Sequence, residues 1–326
     1  MTTSSETPTP RQRFIMALEG KQPPGPVPTF ELVFYLTMEL LGKIHPSHRS
    51  LSQWDQMSTA EKRRQIADAG DSYIQAARRF GHCAIFVHGI AGMPDSEVRT
   101  AEYIREQTGG EFFIMRHGDA TLGIPDGTEM DKFSYRLADD PQGLKRRLSL
   151  EVEEQLSYLS RFAGAGLFDG FALCMDYCLN TGPFLSPAQF SEFVTPYLAR
   201  LVAGQRSMGF YTIKHTDGNI MPIVDQLVQA GPHAIHSLDP QAGVDIAYLK
   251  KTYGSRVCLI GNVNCGLLQT GTDEQVVESC RYALRNGMPG GGYVYSTSNC
   301  VYTGMSLARY ELMMDVWRRE GSYPAA

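Results

Sequence analysis

The chain has 326 residues, of which 43% are hydrophobic and 20% charged, and its formal net charge is −5. This balance is typical of a globular protein with a sizeable core and excludes a disordered chain. The acidic total, with no long basic run, argues against a nucleic-acid or anionic-membrane partner, because such binding needs cations that neutralise phosphates. No stretch approaches roughly 18 consecutive apolar residues, so no membrane-spanning helix is expected.

The beginning of the chain and its cysteines favour a cytoplasmic protein. Residues 1–10 are rich in Thr, Ser and Pro and lack the apolar core of a signal peptide. We therefore predict a disordered tail over 1–10 and a single domain over 11–323. The seven cysteines are odd in number and widely scattered, which does not indicate a disulfide framework. Reduced thiols are expected.

In chain order, the first half of the sequence begins with a predicted strand at 27–31. A capping box at 58–61 opens a long helix, and the apolar run 83–88 predicts a second strand. One further helix is predicted over 142–162. The barrel or sheet that these strands belong to needs one more strand, which we expect between residues 118 and 168 without fixing its place.

A small inserted hairpin is predicted near residues 99–117. Two short segments, 102–105 and 112–116, are joined there through Gly109 and Gly110. A glycine pair between two short extended segments is a hairpin signal. The hairpin is expected to lie over the strands rather than among them.

The second half repeats one pattern: a short apolar run, a polar end and an amphipathic helix. The runs are 171–175, 210–213, 233–235, 257–260 and 293–295. Continuous apolar runs between turn residues are typical of strands buried on both faces of a parallel sheet. Alternation with helices predicts βαβ units, in either a doubly wound sheet or a closed barrel.

Polar residues cluster where the predicted strands end. In a (β/α)8 barrel the working residues come from this C-terminal mouth. The candidates, in chain order, are Glu31, His88, Asp176, Tyr177, His215, Asp217, His236, Asp239, Asn262, Asn264, Ser296, Asn299 and Cys300.

The pair His215 and Asp217 is the sharpest motif. Residues two apart on an extended segment point to one side, so the imidazole and the carboxylate can converge. Such a pair serves as half of a metal site or as an acid–base pair, and Cys300 after the last strand could supply a third ligand to zinc. The alternative is structural: His215 as a hydrogen-bonded group, Asp217 at a helix start and Cys300 as a buried thiol.

Other histidines and polar residues have the same two interpretations. His88 and His236 are predicted to assist as acid–base groups together with Asp176, although a single histidine at a strand end is more often structural. Tyr177 is predicted to bind substrate or to satisfy the turn that follows it. The sequence alone does not choose between these roles.

Four motifs together resemble the uroporphyrinogen decarboxylase superfamily, particularly its methyltransferase-like branch. They are 182–187 (GPFLSP), 215–219 (HTDGN), 261–264 (GNVN) and 290–293 (GGGY). The resemblance covers residues 168–323 well and the first half loosely. It implies a (β/α)8 TIM barrel with its site at the C-terminal mouth, and, by analogy with barrels that often pair, a homodimer.

The resemblance also implies a metal. Methyltransferases that serve corrinoid proteins hold zinc with a His-x-Cys pair and a distant cysteine. By motif match His215 and Cys300 take the first and last positions, whereas Asp217 replaces the middle cysteine. A His/Asp/Cys site is harder and more Lewis-acidic than a sulfur-rich one. The predicted metal ligands are therefore His215, Asp217 and Cys300.

These expectations combine into one predicted function and two alternatives. The prediction is a zinc-dependent methyltransferase moving a methyl group between a small methylated, for example methoxylated, substrate and a corrinoid-binding partner protein. The predicted substrate-binding residues are Glu31, Tyr177, Asn262, Asn264 and Asn299. One alternative is a cofactor-free decarboxylase, disfavoured because the loop 32–35 lacks arginines that would pair with a polycarboxylate substrate. The other is a barrel that binds a small molecule without catalysis.

Overall fold

The computed structural model describes residues 7–324, and a curved parallel sheet organises them. The strands within this range are β1 (Ala84–Phe86), β2 (Phe113–His117), β3 (Gly170–Leu173), β4 (Cys178–Leu179), β5 (Gly182–Pro183), β6 (Tyr211–His215), β7 (Ala234–His236), β8 (Cys258–Val263) and β9 (Tyr293–Thr297). The order in the sheet is β1-β2-β3-β6-β7-β8-β9, with parallel neighbours throughout, while β4 and β5 form a separate antiparallel pair. The predicted TIM-barrel fold is confirmed.

The two edges of this sheet are joined by an extended segment near residue 29. Thr29 forms a parallel bridge with Tyr295 of β9. On its other side, the backbone nitrogen of Cys83, just before β1, donates to the Thr29 carbonyl oxygen at 2.7 Å. The segment predicted as a strand at 27–31 therefore occupies the closing position of the barrel.

Helices surround the strands. Their bounds are α1 (Pro10–Leu18), α2 (Thr37–Leu41), α3 (Thr59–Phe80), α4 (Ser96–Thr108), α5 (Met130–Asp139), α6 (Pro141–Ser160), α7 (Pro187–Phe193), α8 (Thr195–Ser207), α9 (Val224–Gln229), α10 (Ile246–Tyr253), α11 (Cys265–Thr270), α12 (Asp273–Gly287) and α13 (Leu307–Glu320). Short 3-10 turns occur at Pro46–His48, Trp54–Gln56, Gly127–Glu129 and Pro240–Ala242. Several helices begin with the capping boxes read from the sequence, including Ser58–Glu61 before α3.

The predicted hairpin near 99–117 is wrong. Residues 102–105 lie inside α4, whose buried residues Thr100, Ala101 and Ile104 recur at helical spacing. Gly109 ends that helix at φ 58°, and β2 then enters the main sheet between β1 and β3. The glycine pair therefore marks a helix end rather than a hairpin turn.

The same finding corrects the expected place of the remaining strand. That strand is β2, at Phe113–His117, and not a segment of 118–168, where the structure has α5, α6 and a short 3-10 turn. The strand escaped prediction because it was assigned to the hairpin. Its first three residues are fully buried, as a barrel strand requires.

Apolar side chains fill the barrel interior. One buried cluster contains Ala172, Ile213, Ala234, Ile260 and Val294, one residue from each of five neighbouring strands. Small residues let the strands approach: a Cβ built on Gly170 would lie 2.4 Å from the carbonyl oxygen of residue 211. The packed interior leaves the strand ends as the place for chemistry.

Two further predictions concern the N-terminal tail and membrane-spanning helices. Residues 1–6, most of the predicted tail, lie outside the described residues, whereas Thr9 caps α1 through a bond from the Gln12 nitrogen. Within the described residues, no helix combines the length and apolar character that a bilayer crossing demands.

Candidate active site

Two carboxylates and one imidazole meet at the barrel mouth. Asp176, His215 and Asp217 each offer a ligand atom, and these atoms lie within 4.8 Å of one another. The His215 Nε2 atom is 3.5 Å from Oδ1 of Asp217. Asp176 follows β3 and His215 ends β6, so neighbouring strands bring the groups together. The predicted convergence of His215 and Asp217 is seen, and Asp176 joins them.

The loop after β6 holds Asp217 in place. Its backbone nitrogen donates to Oδ1 of Asp176 at 3.0 Å, and the Ser237 hydroxyl oxygen lies 3.0 Å from its Oδ1. Gly218 follows at φ 78°, where a Cβ would lie 2.6 Å from the carbonyl oxygen of residue 179. Only glycine fits this turn without displacing that backbone.

Ser237 reaches Asp217 from a strained backbone position. Its φ is 94° and that of Leu238 is 55°, both in the region that non-glycine residues rarely adopt. The Ser237 hydroxyl is also 2.5 Å from the Ser298 carbonyl oxygen. Such strain costs about 1–3 kcal/mol per residue and is typical of functional sites.

The electrostatics of this group favour a cation. Burial lowers the pKa of His215, while Asp217 and Asp176 partly oppose that shift. The ring is therefore neutral, with one nitrogen free to accept. Asp217 keeps 31% of its side chain exposed against 7% for His215, so the group opens to solvent on the carboxylate side.

The group suits a divalent metal. Tetrahedral zinc ligands at ~2.1 Å are ~3.4 Å apart, close to the separation between His215 and Asp217. Imidazole nitrogen and carboxylate oxygen are both zinc ligands in proteins, and three protein ligands leave a position for substrate. The donor set is harder than one containing thiolate.

Cys300 does not belong to this group. Among residues 7–324, no cluster of metal-binding atoms within 4.8 Å includes its sulfur. Burial raises the pKa of the Cys300 thiol to about 12, and the charges of Asp217 and Glu31 add to that shift. Its backbone nitrogen donates to the Asn299 side chain at 2.6 Å. The predicted His215–Asp217–Cys300 triad is thus not assembled, and Asp176 stands in the third place.

His236 lies behind His215 rather than at the mouth. The two Nδ1 atoms are 2.8 Å apart, and the ring of His236 is fully buried. Its Nε2 atom is 3.4 Å from the Ser296 hydroxyl. The predicted acid–base role of His236 stays a prediction, but its contacts are those of a residue that orients His215.

Glu31, predicted to bind substrate, is buried in the closing seam, where the segment 27–31 meets β9 and α13. Its carboxyl group contacts Ser296 Oγ at 3.1 Å, Thr297 Oγ1 at 2.5 Å and Tyr310 Oη at 3.3 Å. Burial raises the pKa of Glu31 to about 8, and its hydrogen bonds with these neutral groups only partly oppose that shift.

The family of the chain follows from a sequence comparison. Residues 127–320, more than half of the chain, match the sequence model described as uroporphyrinogen decarboxylase (URO-D). The chain belongs to this family. The resemblance inferred from the four motifs is confirmed, and the matched range contains Asp176, His215, Asp217 and Cys300.

Solved structures share the fold of this URO-D family member. A methyltransferase from Methanosarcina mazei is 16% identical with a TM-score of 0.71, covering 95% of this chain and 98% of that one. A GH5_18 protein from Streptomyces cattleya, solved with GlcNAc, is 12% identical with a TM-score of 0.53, covering 92% and 82%. None of the curated protein sequences matches the chain.

The three asparagines predicted to bind substrate lie outside the group formed by Asp176, His215 and Asp217. Asn262 and Asn264 line a separate cavity of about 340 Å³ beside α12. Asn264 also caps α11 through the Gly266 nitrogen. Asn299 accepts from Thr297 Oγ1 through its carbonyl oxygen at 2.5 Å. Their predicted contacts with substrate stay predictions.

Tyr177 belongs to a buried ion-pair network that the sequence did not reveal. The Lys214 ammonium group lies 3.0 Å from Oδ2 of Asp119 and 3.9 Å from the centre of the Tyr177 ring. The Tyr177 hydroxyl contacts Thr121 Oγ1 at 2.5 Å. A lysine inside an apolar strand was a usable signal for Lys214. Asp119 was missed because the strand before it was misassigned.

His88 faces a second group of rings. The His45 ring is 5.3 Å away, and the Tyr73 hydroxyl is 3.3 Å from His88 Nδ1. Burial lowers the pKa of His88 to about 4, so the imidazole is neutral. His45, His88 and Glu31 line a small cavity of about 30 Å³ behind the mouth. The predicted acid–base role of His88 stays a prediction.

Proposed function

We propose that the protein is a zinc-dependent methyltransferase of the URO-D family. It would move a methyl group from a small methylated, for example methoxylated, substrate to a corrinoid carried by a partner protein. The observation that carries the proposal is the meeting of Asp176, His215 and Asp217 at the mouth. Family membership and the likeness in fold to a protein called a methyltransferase support it. A homodimer stays a prediction.

Asp176, His215 and Asp217 would hold the metal. Bound there, zinc would supply Lewis acidity toward an oxygen of the substrate. Two carboxylates and one imidazole are harder ligands than thiolates, so the set suits an oxygen leaving group better than activation of a thiol. A reduced corrinoid would supply the nucleophile that accepts the methyl group of an ether, and the ether oxygen, released from that methyl group, would take up one proton.

The surrounding residues would keep these ligands ready. Ser237 Oγ contacts Asp217, the Asp217 nitrogen donates to Asp176, and His236 contacts the far side of His215. Groups fixed in this way lose little freedom when a ligand arrives, which favours binding. The exposed side of Asp217 leaves room for a substrate from solvent.

Elemental analysis tests the metal. We expect about one zinc per chain in the purified protein, lost in His215→Ala and Asp217→Asn but kept in His233→Ala, a histidine at the opposite end of the barrel. Cys300→Ala decides the third ligand: retention of zinc assigns it to Asp176, and loss of zinc restores the sulfur. Wild-type protein without zinc after exposure to zinc salt would end the proposal.

Methyl transfer itself is tested with free cob(I)alamin and a panel of methoxylated aromatic compounds. Formation of methylcobalamin, followed by its absorption spectrum, is expected for the zinc-loaded protein and not for His215→Ala. Conversion of uroporphyrinogen to products with fewer carboxylates would instead establish the decarboxylase. Ligand binding without turnover of either kind would establish a binding protein.

A further inference from the structure

A row of hydrogen-bonding groups runs from the mouth into the closing seam. It begins at His215, whose Nδ1 is 2.8 Å from Nδ1 of His236. It continues from His236 Nε2 to Ser296 Oγ at 3.4 Å and from Ser296 Oγ to Glu31 Oε2 at 3.1 Å. All of these residues are buried. The proposed function uses only His215 and its contact with His236.

The contact between the two rings admits two arrangements. At 2.8 Å one Nδ1 must carry a proton and the other must accept it. A neutral imidazole carries a single proton on one of its two nitrogens. Either His215 is protonated on Nδ1 and His236 on Nε2, or His236 is protonated on Nδ1 and His215 on Nε2.

The far end of the row fixes a proton on Glu31. Thr297 Oγ1 is 2.5 Å from the Asn299 carbonyl oxygen and 2.5 Å from Glu31 Oε2. A carbonyl oxygen only accepts, so the single hydroxyl proton of Thr297 is directed to Asn299. The contact with Glu31 then needs a proton on Oε2. Glu31 is therefore a neutral acid that donates to Thr297.

The Ser296 hydroxyl connects this acid to the imidazoles. It lies nearer to Glu31 Oε2, at 3.1 Å, than to His236 Nε2, at 3.4 Å. When Ser296 donates to the free lone pair of Oε2, its oxygen is left to accept from His236 Nε2. His236 then accepts on Nδ1 from His215, and the first of the two arrangements is selected.

We propose that Glu31 and Ser296 are positioning residues that select the His215 tautomer with its proton on Nδ1. This tautomer leaves a lone pair on Nε2, facing Asp217. A lone pair beside two carboxylates is the arrangement that a cation stabilises, and a metal-binding histidine usually donates its other ring proton to a fixed partner. The part of the proposal that concerns the cation rests on the proposed function; the tautomer does not.

Ser296→Ala removes the acceptor for His236 Nε2–H. The proton of His236 then moves to Nδ1 and is donated to His215, whose own proton moves to Nε2 and points at Asp217. Nitrogen-15 NMR of the imidazoles in the metal-free protein reports which nitrogen carries the proton. We expect both rings to change tautomer and the zinc affinity, measured by calorimetry, to fall by about 10–100-fold.

Glu31→Gln tests the other end without changing shape or net charge at neutral pH. The amide nitrogen takes the place of the protonated oxygen, because Thr297 still needs a donor. Its second N–H points at Ser296, which turns its own proton to His236 Nε2. The same change of tautomer is expected as in Ser296→Ala. Tyr310→Phe is the matched control: it touches the other end of the Glu31 carboxyl group and should leave both tautomers unchanged.

The outcomes separate the two proposals. Wild-type protein with the His215 proton on Nε2, or tautomers that do not respond to Ser296→Ala and Glu31→Gln, would overturn the positioning role even if zinc binds. Tautomers that respond as expected in a protein that binds no zinc would uphold the positioning role and remove the metal from the proposed function.

Discussion

Two buried carboxyl groups, on different parts of the barrel wall, behave in opposite ways. Asp119 lies 3.0 Å from the Lys214 ammonium group, and its pKa falls to about 2 although burial by itself would raise it. Glu31 is equally buried but its hydrogen-bond partners are neutral, and its pKa rises to about 8. Both accept several hydrogen bonds. The countercharge, rather than burial or hydrogen bonding, separates them.

The difference matters for function because Lys214 and His215 are consecutive. Adjacent residues of a strand face opposite sides, so Lys214 turns toward Asp119 and the helices while His215 turns to the mouth. The ion pair fixes the strand end. The neutral acid Glu31 instead belongs to a chain of hydrogen bonds whose direction depends on a few protons. Such a chain can orient the His215 ring.

The largest expected effect comes from breaking the ion pair. Lys214→Met leaves the Asp119 carboxylate buried without its cation, which typically costs about 3–5 kcal/mol of unfolding free energy. Urea denaturation measures it. The double variant Lys214→Met with Asp119→Leu removes both charges and should recover much of the loss. A loss under about 1 kcal/mol in the single variant would contradict the importance of the countercharge.

Glu31 should make the protein less stable as the pH rises. Its pKa is raised from 4.5 in the unfolded chain to about 8 in the fold, so the native state binds the proton more tightly. The stabilisation is complete below pH 4.5 and is lost as the pH rises through about 8. We expect the stability of wild type, relative to Glu31→Gln, to fall by up to about 1.4 kcal/mol per pH unit in that window. Parallel curves for the two proteins would refute it.

Asp119 should have the opposite effect and make the protein less stable as the pH falls. Its pKa is lowered from 3.8 to about 2, so its stabilisation is present above pH 3.8 and disappears as the pH falls through about 2. We expect about 2 kcal/mol to be lost across that range relative to the double variant lacking both charges. Thermal unfolding at a series of acidic pH values measures this loss. The stabilities of the two proteins are first set equal at neutral pH, so that only the change with pH is compared.

The smallest effect should follow removal of one neutral donor from Glu31. Tyr310→Phe takes away a hydroxyl that contacts Glu31 at 3.3 Å and His82 at 2.8 Å. A neutral hydrogen bond contributes about 0.5–1.5 kcal/mol, so the loss of stability should stay in that range. A cost equal to that of Lys214→Met would show that neutral donors and countercharge are interchangeable here.

Much of the barrel could be predicted from local patterns. The second half repeats apolar runs with capped helices, and β6, β7, β8 and β9 lie where those runs predicted strands. The predicted hairpin over α4 and β2 is wrong because Gly109 ends a helix, and the helical spacing of the buried residues before it is the stronger signal. A short strand after a glycine has little local signature of its own.

The candidate site was predicted only in part. Two residues apart on one extended segment, His215 and Asp217 had to converge, and they do. Asp176 and Cys300 were both at strand ends, and the sequence could not rank their distances from His215. Glu31 was expected at the mouth but lies in the seam, because closure of the barrel presses its carboxyl group against β9 and α13.

The sequence by itself determined the alternation of strands and helices, the polar strand ends and the family, because periodicity, caps and short motifs are local properties of the chain. The tertiary structure decided which strand ends meet. Asp176 beside His215, Lys214 on Asp119, and Glu31 linked through Ser296 across 265 residues all depend on strand order and on closure of the ring. Contacts of this kind are set by the packing of distant segments, which no local pattern records.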